Sequence, residues 1–522
     1  MWYFDMQTST QFSSEEVKKS TQEVKNLREK LLDLREKTGR LDLTESRRKE
    51  LLNGVSDFAD KALGKLQGSK TRIYTGAGDA NNNNADSKGI RSSPIQDEPL
   101  DLDDILDLYG THVESRGLRA GHGGHMAYVP NNGVFPSALG DFLADTLCTY
   151  AGRAYESPGG VEMDNMLLEW LAGVFGYPKG FRGNLTSGGS AATVIAMATA
   201  RDSRKGLRAR DFHRVVVYVS ELTHHCMRKA LHTIGLGEAI VREIPVDSRW
   251  KMDVQTLETT VEKDAQNGLI PFAVVATVGT TDVGSADPVD AIADVAERYG
   301  LWLHVDAAYG GFFALCEDTR PLFRGVERSD SIIVDPHKGL NVPYGSGVVL
   351  VRNGPNLHLS NTAHKQGGYL YHPGSDDTEL SPCDLSFELS THFRGPRMWF
   401  PLKLFGVEAF RSMLTEKLQL ATYFYNIIKD VPGFEVLQAP ELSVVAFRYT
   451  EPPSGMDANS FNKLLLEEMI QEGGVYLSST TLKGTFYLRI CVLGFRTHVE
   501  HVELCLEILQ KSLRKLKTGM LS

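Results

Sequence analysis

The run Phe272-Ala273-Val274-Val275-Ala276-Thr277-Val278, the segment Pro288 to Tyr299 and the run Leu301-Trp302-Leu303-His304-Val305-Asp306 decide how this chain folds. The first and third are apolar runs of strand length. Between them Val289, Ile292, Val295 and Tyr299 recur at helical spacing, so the three segments read as strand, helix, strand. Such units build a largely parallel sheet with right-handed crossovers. A further apolar run, Ser331 to Val334, ends in Asp335 as the earlier one ends in Asp306. Both acids therefore stand at the carboxyl ends of buried strands, where open α/β sheets bind their ligands. After a helical stretch from Arg397 to Asp430, Ser443 to Arg448 and Thr485 to Cys491 read as strands, with helices near 457–471 and 497–516. These elements predict a small C-terminal α/β domain.

Asp335-Pro336-His337-Lys338 and His304-Val305-Asp306-Ala307-Ala308-Tyr309-Gly310-Gly311 carry the chemistry. A lone lysine is usually solvated and a lone strand-end aspartate usually caps a turn. Here the two occur together, a buried carboxylate without a cation is costly, and the small residues around Asp306 leave room for a flat ring. Pyridoxal chemistry asks for this pair: a lysine that holds the aldehyde as a Schiff base, and a carboxylate that keeps the ring nitrogen protonated. Lys338 and Asp306 fit those roles. Gly183-Asn184-Leu185-Thr186-Ser187-Gly188-Gly189-Ser190-Ala191-Ala192 reads as a glycine-rich turn opening into a helix from Gly189 to Arg201, whose free N–H groups suit a phosphate. It lacks the glycine order and the lysine of nucleotide loops. In Glu221-Leu222-Thr223-His224-His225-Cys226 a histidine is placed to lie against a pyridine ring. A metal is not expected there, since chain neighbours do not readily share one ion and no spaced partner set appears. His122-Gly123-Gly124-His125 reads as a loop at the edge of the site.

These segments resemble the group II pyridoxal-dependent decarboxylases, the family of the aromatic L-amino acid, tyrosine, histidine and glutamate decarboxylases. The resemblance covers about residues 99 to 515. Asn184 to Ala192, Thr280 to Thr281, His304 to Gly311, Asp335 to Leu340 and Met398 to Gly406 fall in the family's order. It implies fold type I, the architecture of aspartate aminotransferase, and pyridoxal 5'-phosphate as cofactor. Lys338 would form the Schiff base, Asp306 pair the ring nitrogen and His224 stack on the ring. Gly189 and Ser190 would hold the phosphate, Thr281 would line the cofactor, and Ala308 would pack on the other face. His337 would contact the cofactor or the substrate carboxylate. A tyrosine in the segment Ser360 to Pro382 would return a proton to the α-carbon, Tyr369 being the best match and Tyr371 its rival. Two departures stand out. Asp335 replaces an asparagine common near the phosphate, and an acid there repels phosphate unless turned away, so it is left out of the phosphate set. Gly152 and Arg153 occupy a stretch where aromatic decarboxylases place a bulky aromatic from the partner subunit.

Decarboxylation of an L-amino acid to its amine is the activity this resemblance implies. An aromatic substrate is favoured by Tyr128 and Pro130 in His125 to Asn132, while Arg153 is a candidate cation for a second carboxylate. Oxidative deamination to an aldehyde, decarboxylation of a non-aromatic amino acid and a non-catalytic scaffold are the alternatives.

The chain has 522 residues, 42% of them hydrophobic, enough for a large core and two or more domains. A net charge of -10 argues against a nucleic-acid surface. The six cysteines are scattered without paired spacing, and no apolar stretch of signal or membrane length appears, so a soluble cytoplasmic protein without membrane partners is expected. Residues 1–67 read as a charged helical extension. Val17, Val24, Leu27, Leu31, Leu34 and Leu41 form a near-heptad stripe broken at Gly39, which would pair with another helix or pack on its own domain. Residues 68–98, with Asn81 to Asn84, have linker composition. An N-terminal arm at 99–135, a large cofactor domain at 136–396 and a small domain at 397–522 complete the division. In the family the arm wraps around a second subunit, which implies a homodimer.

Overall fold

The computed structural model describes residues 14–68, 89–116, 118–129, 133–361 and 380–519. The chain divides into two compact units, residues 1–68 with 81–117, and 69–80 with 118–522. Residues 69–88, most of the expected linker, lie outside the described residues.

The first unit is helical: α1 (Ser14–Thr38), a 3-10 turn at Gly39–Leu41, α2 (Glu45–Gly68) and α3 (Leu102–His112). Glycine at position 39 ends the first helix where the stripe breaks. α2 and α3 pack through Phe58 edge-on to Tyr109, with ring centroids 6.0 Å apart, and through Leu102 against Gly54. On α1 the stripe residues Val24, Leu27, Leu31 and Leu34 are exposed.

The second unit carries a seven-stranded sheet in the order β1-β7-β6-β5-β4-β2-β3. Its strands are β1 (Arg182–Thr186), β2 (Val215–Ser220), β3 (Ile240–Ile244), β4 (Ile270–Thr277), β5 (Trp302–Asp306), β6 (Ser331–Val334) and β7 (Gly347–Val351). β2 to β6 run parallel, whereas β7 is antiparallel to both β6 and β1. Every residue of β2, β5, β6 and β7 is buried, as continuous apolar runs covered on both faces require. The helices of this domain are α4 (Phe135–Thr146), α5 (Pro158–Phe175), α6 (Gly189–Ser203), α7 (Cys226–Thr233), α8 (Val254–Gln266), α9 (Val289–Tyr299), α10 (Pro336–Gly339) and α11 (Gly354–Asn361). α9 is the predicted crossover between β4 and β5, and it stops at Gly300, which takes a left-handed conformation with φ 63°.

α12 (Gly395–Ile428), bent at Gly406, leads into a smaller antiparallel sheet, β10-β11-β9-β8, flanked by α13 (Ala458–Glu472) and α14 (Val499–Gly519). Its strands are β8 (Phe434–Val436), β9 (Val444–Tyr449), β10 (Ser478–Leu482) and β11 (Thr485–Cys491). One expectation needs correction. Gly183 to Thr186 was expected in a turn, yet these residues form β1. A Cβ on Gly183 would lie 2.6 Å from the Val349 carbonyl oxygen, so the glycine marks close approach to β7 rather than a bend.

Candidate functional site

The carboxyl ends of β4, β5 and β6 face the first turn of α6, and between them opens a cavity of about 560 Å³. Lys338, Asp306, His224, Gly189, Ser190, Thr281, Ala308 and His337 all line it, drawn together from segments far apart in sequence. Tyr369 and Tyr371 lie outside the described residues.

Asp306 is the last residue of β5, where sheet pairing ends, and its Oδ1 accepts the Ala308 N–H at 3.1 Å. That bond fixes the carboxylate while the small Ala308 leaves the adjoining space open. Lys338 lies in the single turn of α10, set by Pro336 at its start, and its Nζ is 3.1 Å from Asp335 Oδ2. His337 Nδ1 donates to the Ser346 carbonyl oxygen at 2.5 Å, leaving Nε2 for other partners. His224 Nδ1 accepts the Cys226 N–H at 3.3 Å, and its ring centroid is 4.1 Å from that of His225. Burial, then the neighbouring His225, hold its pKa below the ordinary histidine value, so the ring is neutral at pH 7. Thr280, buried next to Thr281, bonds Ser285 Oγ at 3.0 Å and anchors that turn.

α6 begins with no side-chain cap: its N-cap is Gly188, with φ 148°. The N–H groups of its first turn therefore need an external partner, and the glycines admit one close to the backbone. A primary amine, a fixed carboxylate, a neutral imidazole and a helix start around one cavity fit pyridoxal phosphate. Asp335 is the exception to the fit. Its carboxylate is not turned away but faces the start of α6, where a Cβ on Gly189 would lie 2.8 Å from its Oδ2.

Arg489 also lines the cavity and was missed from sequence. It sits in β11, 4% exposed, with Nη1 donating to the Ala127 carbonyl oxygen at 2.6 Å and to Ser478 Oγ at 2.8 Å. Its Nε and Nη2 are buried and, among the described residues, have no hydrogen-bond partner. The signal was an arginine inside the apolar run Phe486 to Cys491, since a buried cation there demands an anion. Arg153 does not line the cavity; its guanidinium lies over the Tyr155 ring at 5.3 Å.

Tyr128 does line the cavity, and its hydroxyl is 3.5 Å from that of Tyr476. Tyr476 stacks on His125, whose pKa burial pushes down to about 4. The second histidine of His122 to His125 is thus packed in the wall behind the cavity. Among the described residues no group of three or more His, Cys, Asp or Glu is placed to hold a metal.

The chain matches the pyridoxal-dependent decarboxylase conserved domain over residues 86–450. It is 30% identical over 420 residues to an aromatic-L-amino-acid decarboxylase of Bacillus atrophaeus, covering 80% of this chain and 86% of that protein. Tyrosine decarboxylase 4 of Petroselinum crispum is 31% identical over 405 residues, 74% of this chain and 78% of its own length. The crystal structure of Oryza sativa TDC with PLP and tryptamine superposes with a TM-score of 0.84 at 26% identity, over 91% of this chain and 99% of that one. The fold is accordingly the expected fold type I.

Proposed function

Because the chain belongs to the pyridoxal-dependent decarboxylases and is a pyridoxal-phosphate-dependent carboxy-lyase, we propose that it converts an aromatic L-amino acid to its amine and carbon dioxide. The observation that carries the reading is the convergence of Lys338 and Asp306 on one cavity at the start of α6. When bound, the cofactor supplies an electron sink for the pair left on the α-carbon as carbon dioxide departs. Lys338 would hold the cofactor through its aldehyde. Asp306, 8% exposed, would keep a proton on the ring nitrogen, and its burial would strengthen that charge pairing. His224, neutral and fixed through Nδ1, would cover one face of the ring, and the small Ala308 would leave space for the other. Gly189 and Ser190 would present backbone donors to the phosphate, Thr281 would border the ring, and His337 would offer Nε2 to cofactor or substrate carboxylate. Tyr369, or Tyr371 in its place, returns the proton to the α-carbon.

The aromatic assignment draws on the names of the relatives and on the ring of Tyr128 in the cavity wall. An acidic side chain is the second reading, since the buried donors of Arg489 suit any carboxylate, that of a substrate side chain as well as the α-carboxylate. A panel of the standard L-amino acids, with carbon dioxide release and amine identification, tests both. Turnover of none of them would refute the assignment, and turnover confined to aspartate or glutamate would select the second reading.

The assembly is a homodimer in this reading. Exposed Phe135, Leu139, Phe142 and Leu143 on α4, Leu147 just beyond its end, and Leu404 and Phe405 on α12 form apolar surface suited to burial against a second copy. An active monomer in sedimentation would contradict it. A cytoplasmic location is supported by six cysteines that are all free. Among the described residues no helix is long and apolar enough to cross a membrane.

A further inference from the structure

The apolar stripe of α1 has no place in the decarboxylase reading. Val24, Leu27, Leu31 and Leu34 stand alternately three and four residues apart, the spacing of the two core positions of a coiled coil, and Val17 continues the same repeat in sequence. The four are exposed, Val24 by 64%, although a helix with an apolar stripe draws most of its stability from burying it. The match to the decarboxylase domain begins at residue 86, so α1 lies outside it.

The flanks of the stripe say what covers it. On one side, next to the core positions, stand Glu23, Lys30 and Lys37, and on the other Thr21, Arg28 and Arg35. In a coiled coil these flanking positions choose partner and orientation. Let two copies of α1 lie antiparallel, with Val24 opposite Leu27 of the second copy. Glu23 then meets Lys30 of the second copy, and by the two-fold symmetry Lys30 meets Glu23 of the second copy. On the other flank Arg28 meets the uncharged Thr21 of the second copy. Nearly the whole length of α1 is overlapped in this register.

The competing arrangements bring like charges together. A parallel pair sets Glu23 against Arg28 but also Lys30 against Arg35, so attraction and repulsion cancel. Sliding the antiparallel pair by one heptad sets Lys30 against Lys30 and Arg28 against Arg28 in one direction, and Glu23 against Glu23 in the other. From this self-complementarity we infer that α1 is an assembly helix whose occupant is α1 of a second copy, antiparallel, with Val24 and Leu27 in the central layers and two Glu23–Lys30 pairs closing one flank.

A water-soluble carbodiimide joins a carboxylate to an amine only where the two touch, and it acts on the native full-length protein. Denaturing electrophoresis of the treated protein, with peptide mapping of each band, should find an amide between Glu23 and Lys30 in the species of two-chain mass and not in that of one chain. The same link at one-chain mass would put both residues in a single helix and overturn the inference, as would its absence. Leu27→Asp keeps both coupling groups and, at an exposed position, leaves the chain's own packing intact, but it sets a charge in the central layers. The link should then be lost, and an undiminished yield would overturn burial of the stripe as its cause. Lys30→Glu alone should abolish the link, and adding Glu23→Lys should restore it, because a symmetric contact is unchanged when its charges are exchanged. A double exchange that stays unlinked would overturn the pairing. The homodimer reading above rests on α4 and α12 and can fail separately.

Discussion

Asp164, on the inner face of α5, is a carboxylic acid that folding keeps protonated at neutral pH. Burial raises its pKa from 3.8 to about 8, and the charge of Arg394 offsets this only in part. The packing accounts for it: among the described residues Oδ1 has no hydrogen-bond partner, and the main chain closes that side so tightly that a Cβ on Gly395 would lie 2.2 Å from Oδ1. In the unfolded chain the group titrates at its ordinary value. Between the two values the native state holds a proton that the unfolded state has released, so stability is greatest at low pH and is lost as pH rises toward 8. The slope is about 1.4 kcal/mol per pH unit for one group, or on the order of 2.5 kcal/mol between pH 5 and pH 7. Asp164→Asn keeps the shape and removes the titration. Pulse proteolysis in urea at pH 5, 6 and 7 should therefore show the variant gaining on the native protein by about that amount across the interval, whatever constant offset the amide introduces. A difference that stays flat with pH, or that moves the other way, would refute the reasoning.

Lys338→Ala should abolish the pyridoxyl adduct left by borohydride reduction, and peptide mapping that finds an adduct on another lysine in the native protein would displace Lys338 from its role. Arg489→Lys keeps the charge but not the fork; if Arg489 grips a carboxylate equally in ground and transition states, KM should rise about tenfold or more with kcat little changed. A loss in kcat at constant KM would contradict that grip. Tyr369→Phe should slow amine formation and let dioxygen compete for the α-carbon, shifting product toward aldehyde, ammonia and hydrogen peroxide while cofactor absorbance survives. The same change in Tyr371→Phe alone would move the proton donor to Tyr371, and no change in either variant would move it to His224 or His337.

What was legible from sequence is what local chemistry constrains. β4, α9 and β5 announce themselves because apolar runs buried on two faces and a helix with one apolar face leave different periods in the chain. Lys338 and Asp306 were readable because each follows such a run and each is expensive to bury alone. β1 was not readable, since Gly183 has the composition of a turn and its reason, contact with the Val349 carbonyl, lies far along the chain. Arg489 escaped for a related reason: its partners, Ala127 and Ser478, come from other segments, so the strand that carries it shows only an anomaly. Asp335 joins the two cases. Sequence alone identifies it as an acid where a phosphate should seat, which is a conflict. The geometry turns the conflict into a pairing, because the same carboxylate holds the ammonium of Lys338 at 3.1 Å against the α6 start. An acid that sequence alone sets against a phosphate thus has a task of its own, to hold the ammonium of Lys338 in place at the carboxyl end of β6.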